Sequence, residues 1–116
     1  MATRKLDKAQ WRTYFDRVSK SLVGKRAEIE VDSLSLGSQI ETEWLPFLGI
    51  VYDQKDDLIE IALEDVDHMI RHPDSVFVDE DLLALNSVEI VDRDGVKQII
   101  LLRDPLMLPP PSAAVA

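Results

Sequence analysis

Apolar and polar residues alternate along much of the chain, and two apolar runs stand close together near its middle. The runs span residues 47–52 and 58–63, and the residues between them, 53–57, are all polar. Three of those five residues are Asp, which tolerates the backbone geometry of turns. The pattern therefore predicts a central β-hairpin that the rest of the chain covers.

An amphipathic helix is predicted ahead of this hairpin. Asp7 is a suitable N-cap, Gln10 stands where a capping box needs it, and Gly24 supplies a C-terminal stop. Between them, apolar residues recur at helical spacing along one stripe: Trp11, Tyr14, Phe15, Val18 and Leu22. We expect a helix over residues 8–23 with this stripe facing the core.

Strand patterns occupy most of the remaining chain. Pro46 cannot donate to a sheet ladder and should bend one long strand. Asp94-Gly95 between two apolar runs predicts a second hairpin. Five principal strands are expected, at residues 26–32, 39–52, 57–63, 83–92 and 96–103.

The segment that follows the central hairpin has a different spacing. Val66, Met69 and Ile70 recur as on a helix, and Pro73 disfavours helix at the residue before it. A short helix is therefore predicted near residues 65–71. The expected fold class is α+β and mostly β, with an N-terminal helix followed by a bent five-stranded antiparallel sheet or small Sm/SH3-like barrel.

Length and composition limit the class of protein further. The 116 residues fit one globular domain over residues 1–103, followed by a proline-rich tail, residues 104–116, that we expect to be disordered. Cysteine is absent, which excludes disulfides and fits a reducing compartment, so a cytoplasmic location is predicted. No apolar run approaches the roughly 20 residues that span a bilayer, so no membrane contact is expected.

The charge distribution argues against nucleic acid as a partner. The chain has 22 acidic and 13 basic residues and a net charge of −9, whereas binding to phosphate backbones depends on Lys and Arg. Residues 4–26 are nevertheless basic, with eight basic and two acidic side chains. This segment could be drawn onto the acidic remainder of the chain or could bind a partner, and both interpretations stay open.

Three residues form a candidate metal site. On the predicted short helix, Asp65, His68 and His72 would lie along one side, which is a plausible spacing for metal ligands. The chain supplies no thiolate, and the Glu of an HExxH motif is absent because residue 69 is Met, so a further ligand would have to come from elsewhere. The alternative is structural, with the histidines capping the helix and forming hydrogen bonds at the edge of the core.

Other familiar catalytic and binding patterns are missing from the sequence. The serines lack a GxSxG elbow, and the four glycines are isolated rather than grouped in a phosphate loop. An EF-hand alignment from Asp53 to Glu64 fails, because Lys55 and Leu58 occupy positions that need an oxygen ligand and a glycine. The sequence therefore argues against an enzyme and predicts no cofactor.

Several short motifs carry a resemblance to a known family. They are Trp11 with Tyr14-Phe15-Asp16, Ile29 to Val31, Leu36-Gly37-Ser38-Gln39, Trp44-Leu45-Pro46, Gly49-Ile50 with Tyr52-Asp53, and Asp67-His68 with Ile70 and Pro73. Together they resemble a family of small bacterial proteins that is catalogued only as a domain of unknown function. The resemblance covers about residues 11–102 and implies a single compact domain, without assigning an activity or a functional residue.

Three function classes follow from these observations. The first is a non-catalytic interaction or assembly domain with a protein partner, since unpaired strand edges can accept a further strand. The second is a metal-binding or small-molecule-binding protein centred on His68 and His72, and the third is an RNA-binding Sm-like barrel. A homodimer is also expected, because residues 99–102 are all apolar and both faces of the last strand need a cover.

Overall fold

The computed structural model describes residues 2–22, 24–33, 37–80 and 85–103. The chain forms one α-helix, α1, preceded by a 3₁₀ turn at Lys8–Gln10, and eight strands within these residues. The bounds are β1 Ala2–Leu6, α1 Trp11–Ser21, β2 Arg26–Ser33, β3 Gly37–Asp53, β4 Leu58–Leu63, β5 Val66–Arg71, β6 Pro73–Glu80, β7 Leu85–Asp92 and β8 Lys97–Arg103. The predicted tail, residues 104–116, and the predicted strand start at Leu83 lie outside the described residues.

The described strands form a single antiparallel sheet in the order β1-β6-β7-β8-β2-β3-β4-β5. The mostly β fold class is confirmed, but the prediction of five strands is wrong because β1, β5 and β6 were not counted. The sheet is open, with β1 and β5 as its two edges, so the predicted closed barrel is not observed. No helix in the described ranges has the length and apolar character needed to cross a membrane.

The predicted helix near residues 65–71 is wrong, because this segment is strand β5. Val66 and Ile70 are four residues apart, a spacing that puts two side chains on one face of a helix and also on one face of a strand. Asp65 adopts a left-handed φ of 65° in the turn after Leu63, which lets β5 fold back antiparallel to β4. Because every residue of this segment pairs with β4, the segment is a strand and not a helix.

Helix α1 buries the stripe that the sequence predicts. The side chains of Trp11, Tyr14, Phe15, Val18 and Leu22 are all at most 6% exposed. The α-helix begins at Trp11 rather than at residue 8, and Asp7 makes no side-chain cap. Its carbonyl accepts the Gln10 N–H at 2.8 Å instead, which closes the 3₁₀ turn. The core stripe therefore predicts this element better than the capping signal does.

Strand β3 is long and changes partners at Pro46, as the predicted bend requires. Residues 37–46 pair with β2, and residues 47–53 pair with β4. The second half of β3 therefore pairs with β4 on one side and with no described strand on the other. Helix α1 packs against β3, and the buried apolar side chains of the helix and the sheet form one core cluster.

Ser19 on α1 joins the helix to this unpaired side of β3. Its hydroxyl accepts the N–H of Ile50 and donates to the carbonyl of the same residue, both at 2.8 Å. Backbone groups that point away from β4 are therefore satisfied by a side chain rather than by a neighbouring strand.

Replacing Ser19 by alanine is expected to lower the free energy of unfolding by about 1–2 kcal/mol. The substitution leaves the N–H and the carbonyl of Ile50 without this partner at a partly buried position. Urea denaturation of the variant measures the loss, and Ser21→Ala is the matched control because Ser21 only donates to a carbonyl of its own helix. Equal losses for the two variants would contradict the prediction.

Candidate functional site

Among the described strands, β5 pairs only with β4, so the backbone groups on its other edge pair with no described strand. The N–H of His72 donates to the carbonyl of Asp57 at 2.8 Å, which fixes the ladder between β4 and β5. Antiparallel ladders alternate, and the register between these strands has no shift. The N–H and carbonyl groups of Asp67, Met69 and Arg71 therefore point away from β4, toward the open edge.

The side chains at these three positions are exposed on the outer face of the sheet. Met69 is 48% exposed, and it lies between an acidic residue, Asp67, and a basic residue, Arg71, on the same strand. Neither charged side chain forms an ion pair with any part of the chain that the structure describes. The edge thus combines free backbone groups, an apolar centre and two unpaired opposite charges.

Exposed apolar side chains also lie on the outer face of the hairpin, next to the edge. The register places Val51 opposite Glu60, and Glu60 opposite Met69, in one row across β3, β4 and β5. Val51 is 57% exposed, and Leu48, earlier on β3, is 60% exposed. We call Leu48, Val51 and Met69 the outer patch. Glu60 separates Val51 from Met69 in this row, so the outer patch is a group of individual exposed apolar side chains beside the edge.

Two shallow grooves lie where α1 meets the second half of β3. Their volumes are about 650 and 530 Å³, and both are lined by Arg12, Val51 and Tyr52. Acidic and basic side chains line them together, and they open broadly to solvent. Enclosed, mostly apolar pockets are typical of small-molecule sites, and these open grooves of mixed charge have neither feature.

The structure separates the three residues of the predicted metal site. Asp65 is exposed in the turn before β5, and His68 faces inward and donates through Nε2 to Gln98 Oε1. His72 lies at the corner between β5 and β6, beside Asp57. Among the described residues, no group of three or more His, Cys, Asp or Glu side chains is placed to hold a metal. Metal binding by the histidine pair stays a prediction, but the helix on which it rested is absent.

Asp57 is the centre of a polar cluster at the same corner. Tyr52 donates its hydroxyl to Oδ1 at 2.9 Å, His72 Nδ1 lies 3.4 Å from Oδ2, and Lys8 Nζ lies 3.7 Å from Oδ1. Burial opposes ionisation of Asp57, but the hydrogen bonds from Tyr52 and His72 and the charge of Lys8 outweigh it and hold its pKa below the usual value. Both Asp57 and His72 have left-handed backbones, with φ of 49° and 52°.

This cluster is suited to holding the fold together rather than to catalysis. Burial, followed by the hydrogen bond to Asp57, raises the pKa of Tyr52 to about 12, so its hydroxyl stays protonated near neutral pH. A nucleophile or general base needs a pKa closer to the working pH. The cluster joins the 3₁₀ turn to the end of β3 and the start of β6, and we assign it that structural role.

A second polar cluster fixes β1 and α1 to β6. Arg4 Nε lies 2.8 Å from Glu80 Oε1, and Tyr14 donates its hydroxyl to Glu80 Oε2 at 2.8 Å. The guanidinium groups of Arg4 and Arg17 lie 5.7 and 5.4 Å from the centre of the Tyr14 ring. Together with the Lys8–Asp57 pair, these contacts support the interpretation that the basic N-terminal segment is drawn onto acidic residues of the same chain.

One carboxyl group is buried away from both clusters. Glu28 on β2 is 9% exposed, and burial, with Glu43 and Glu30 nearby, raises its pKa. Arg103 is the positive charge that partly offsets these effects. The raised pKa reflects burial first and the neighbouring carboxylates second, and no group of three or more His, Cys, Asp or Glu side chains that could hold a metal is found in the described residues.

The geometry defines a small, mostly β domain with an exposed strand edge, and sequence comparison gives its family. The chain matches the family described as "Family of unknown function (DUF5335)" over residues 2–111, and it belongs to that family. An uncharacterized protein of Aquifex aeolicus (strain VF5) is 38% identical over 110 residues, which cover 94% of this chain and 99% of that protein. No solved structure matches the chain. The predicted resemblance to a bacterial family of unknown function is confirmed.

Sequence reasoning did not identify Asp67, Met69 and Arg71 as site residues. The available signal was that Val66 and Ile70 also share one face of a strand, which would turn Asp67, Met69 and Arg71 to the opposite face. Assigning this segment to a helix concealed the edge and directed attention to the histidines.

Proposed function

We propose that the protein is a non-catalytic interaction domain that binds an extended polypeptide strand at the free edge of β5. The observation that carries this proposal is the row of outward-pointing backbone groups at Asp67, Met69 and Arg71. An edge strand with free N–H and carbonyl groups is a template for strand addition, and backbone hydrogen bonds then supply much of the affinity. Specificity comes from the side chains beside the new strand.

The surroundings of the edge support strand addition. The ladder from β4 to β5 is regular, without the bulge or proline that commonly protects a sheet edge. The outer patch adds apolar contact area next to the edge, and Asp67 and Arg71 can select the direction of the incoming strand by their charges. The other edge, β1, has fewer residues and uses Arg4 in the ion pair with Glu80.

Photo-cross-linking tests this function. We expect a benzophenone amino acid in place of Met69 to form adducts with a polypeptide when the purified variant is irradiated in an extract of its native host. Adding Arg71→Pro should abolish these adducts, because proline removes an N–H that points to the open edge and leaves the ladder to β4 intact. Mass spectrometry identifies the cross-linked polypeptide.

A matched control places the benzophenone at Asp94, an exposed residue in the turn between β7 and β8. Adducts at position 94 that equal those at position 69 would show non-specific capture. The proposed function is wrong if position 69 forms no adducts, or if its adducts persist in the Arg71→Pro variant.

A further inference from the structure

The charges along the edge of β5 are complementary to those of a second, antiparallel copy of the same edge. This complementarity indicates which partner the edge fits. We infer that β5 pairs antiparallel with β5 of a second copy of the chain across a two-fold axis at Met69. The inference rests on the proposed function, because it identifies the strand that adds to the edge. Across a two-fold axis, a residue that contacts a second residue of the partner is matched by the reciprocal contact, and only a residue on the axis meets its own counterpart.

Register determines which residues of the two edges would face each other. When Met69 lies opposite the partner's Met69, Asp67 lies opposite the partner's Arg71, and Arg71 lies opposite the partner's Asp67. All three positions have backbone groups that point to the open edge, so each pair exchanges two backbone hydrogen bonds. Opposite charges that face each other across a ladder are stabilising, and this register contains two such pairs.

The register centred on Met69 also places its charged pairs better than the neighbouring register does. Moving the axis by one residue toward the N-terminus places Asp67 opposite the partner's Met69 and leaves Arg71 opposite the partner's Asp65 in the preceding turn. The register centred on Met69 keeps both charged pairs inside the regular strand, Val66–Arg71. It is therefore the two-fold arrangement that the side chains favour.

Strand β1 lacks this complementarity. A two-fold axis at Arg4 or at Lys5 would place a basic residue opposite the same basic residue of the second copy. Like charges that face each other are destabilising, and β1 holds no acidic residue that could form an opposite-charge pair. A second copy consequently fits the β5 edge better than the β1 edge.

The outer patches of the two copies would meet at the axis through Met69. Met69 is half exposed in the single chain, and in this arrangement it packs on the partner's Met69. The row from Val51 through Glu60 to Met69 then runs on into the same row of the second copy in reverse order. The paired edge is a strand of six residues, so the buried area is small and association should be weak and dependent on concentration.

Charge exchange gives a direct test by sedimentation or light scattering. The chain has a mass of 13.1 kDa, and its apparent mass should rise toward about twice that value with increasing concentration. Asp67→Arg and Arg71→Asp should each raise the dimer dissociation constant about tenfold or more, because both charged pairs become repulsive. The double exchange Asp67→Arg/Arg71→Asp restores opposite charges at unchanged net charge and should recover dimerisation to within about threefold.

Two controls separate the edge from general charge effects. Asp94→Arg makes the same charge change as Asp67→Arg at an exposed turn and should leave the dissociation constant unchanged. Circular dichroism of each variant verifies that the sheet is intact. The inferred register would be overturned if neither single reversal changed the dimer dissociation constant. It would also be overturned if the double exchange failed to recover dimerisation.

The outcomes also distinguish this inference from the function on which it rests. A chain that stays monomeric up to millimolar concentration overturns the second copy as partner. If cross-links from position 69 then identify a different polypeptide and are lost with Arg71→Pro, strand addition still stands. If neither the dimer nor those cross-links form, both proposals fail.

Discussion

Phe15→Ala is expected to lower the free energy of unfolding by about 3–5 kcal/mol, the largest effect predicted for a single substitution in this chain. Phe15 is 0% exposed, and its ring makes an edge-on contact with Tyr14, with ring centres 6.2 Å apart. Alanine would leave a cavity between α1 and the sheet. Helix α1 is short, and its stability depends on this packing rather than on helix propensity alone.

Chemical denaturation of Phe15→Ala against the natural sequence measures this loss. Arg12→Ala is the matched control, because Arg12 lies on the exposed face of the same helix and should change stability by less than about 0.5 kcal/mol. A loss below about 1 kcal/mol for Phe15→Ala would mean that α1 contributes little to the core in solution.

The helix shows which part of a sequence pattern carries information about tertiary structure. The apolar stripe recurs over three turns, and only one helix orientation buries all of it, so its prediction is confirmed. The start of the helix depended on the Asp7 side chain, which forms no capping bond. Whether a side chain caps a helix depends on local geometry, and the sequence does not specify that geometry.

Edge strands were the least predictable part of the fold. In β1, Leu6 is the one large apolar residue, so no alternation is visible, and the strand is held by pairing with β6 and by the Arg4–Glu80 ion pair. In β5, helix and strand both place Val66 and Ile70 on one face, and pairing with β4 decides between them. Long-range pairing therefore settles both edges, and it is absent from local sequence patterns.

The candidate site was missed for the same reason. Asp67, Met69 and Arg71 form a row only when the segment is a strand, and the row is free only because β5 lies at the end of the sheet order. The sequence did indicate that unpaired edges could bind a partner. It could not indicate which strand would supply the edge, since the sheet order depends on contacts between distant segments.

Asp57→Ala is expected to lower the free energy of unfolding by about 2 kcal/mol near neutral pH. The substitution leaves the hydroxyl of Tyr52, a residue that is 7% exposed, without its acceptor. It also puts alanine at a left-handed φ of 49°, which Asp tolerates better. The pair with Lys8 adds little, because the two side chains are 59% and 37% exposed and solvent screens their charges.

A double-mutant cycle with Tyr52→Phe isolates the hydrogen bond. Removing the Tyr52 hydroxyl removes the group that Asp57→Ala would leave unpaired, so the double variant should lose less stability than the two single losses added together. Urea denaturation of the three variants supplies the values. Strict additivity would show that the Tyr52–Asp57 contact contributes nothing to folding.

The charge of Asp57 adds a pH dependence with a defined sign. Its pKa in the folded chain lies below the ordinary value of 3.8, so the folded state binds fewer protons than the unfolded state in that range. The stabilisation is therefore complete well above this value and is lost as the pH falls through the lowered pKa.

Asp57→Asn keeps a side chain that tolerates the left-handed backbone but has no charge. The stability difference between the natural chain and Asp57→Asn should accordingly narrow when urea denaturation is repeated below about pH 4. A difference that stays constant from neutral to acidic pH would exclude the carboxylate charge as the source of the stabilisation, leaving hydrogen-bond geometry alone to account for it.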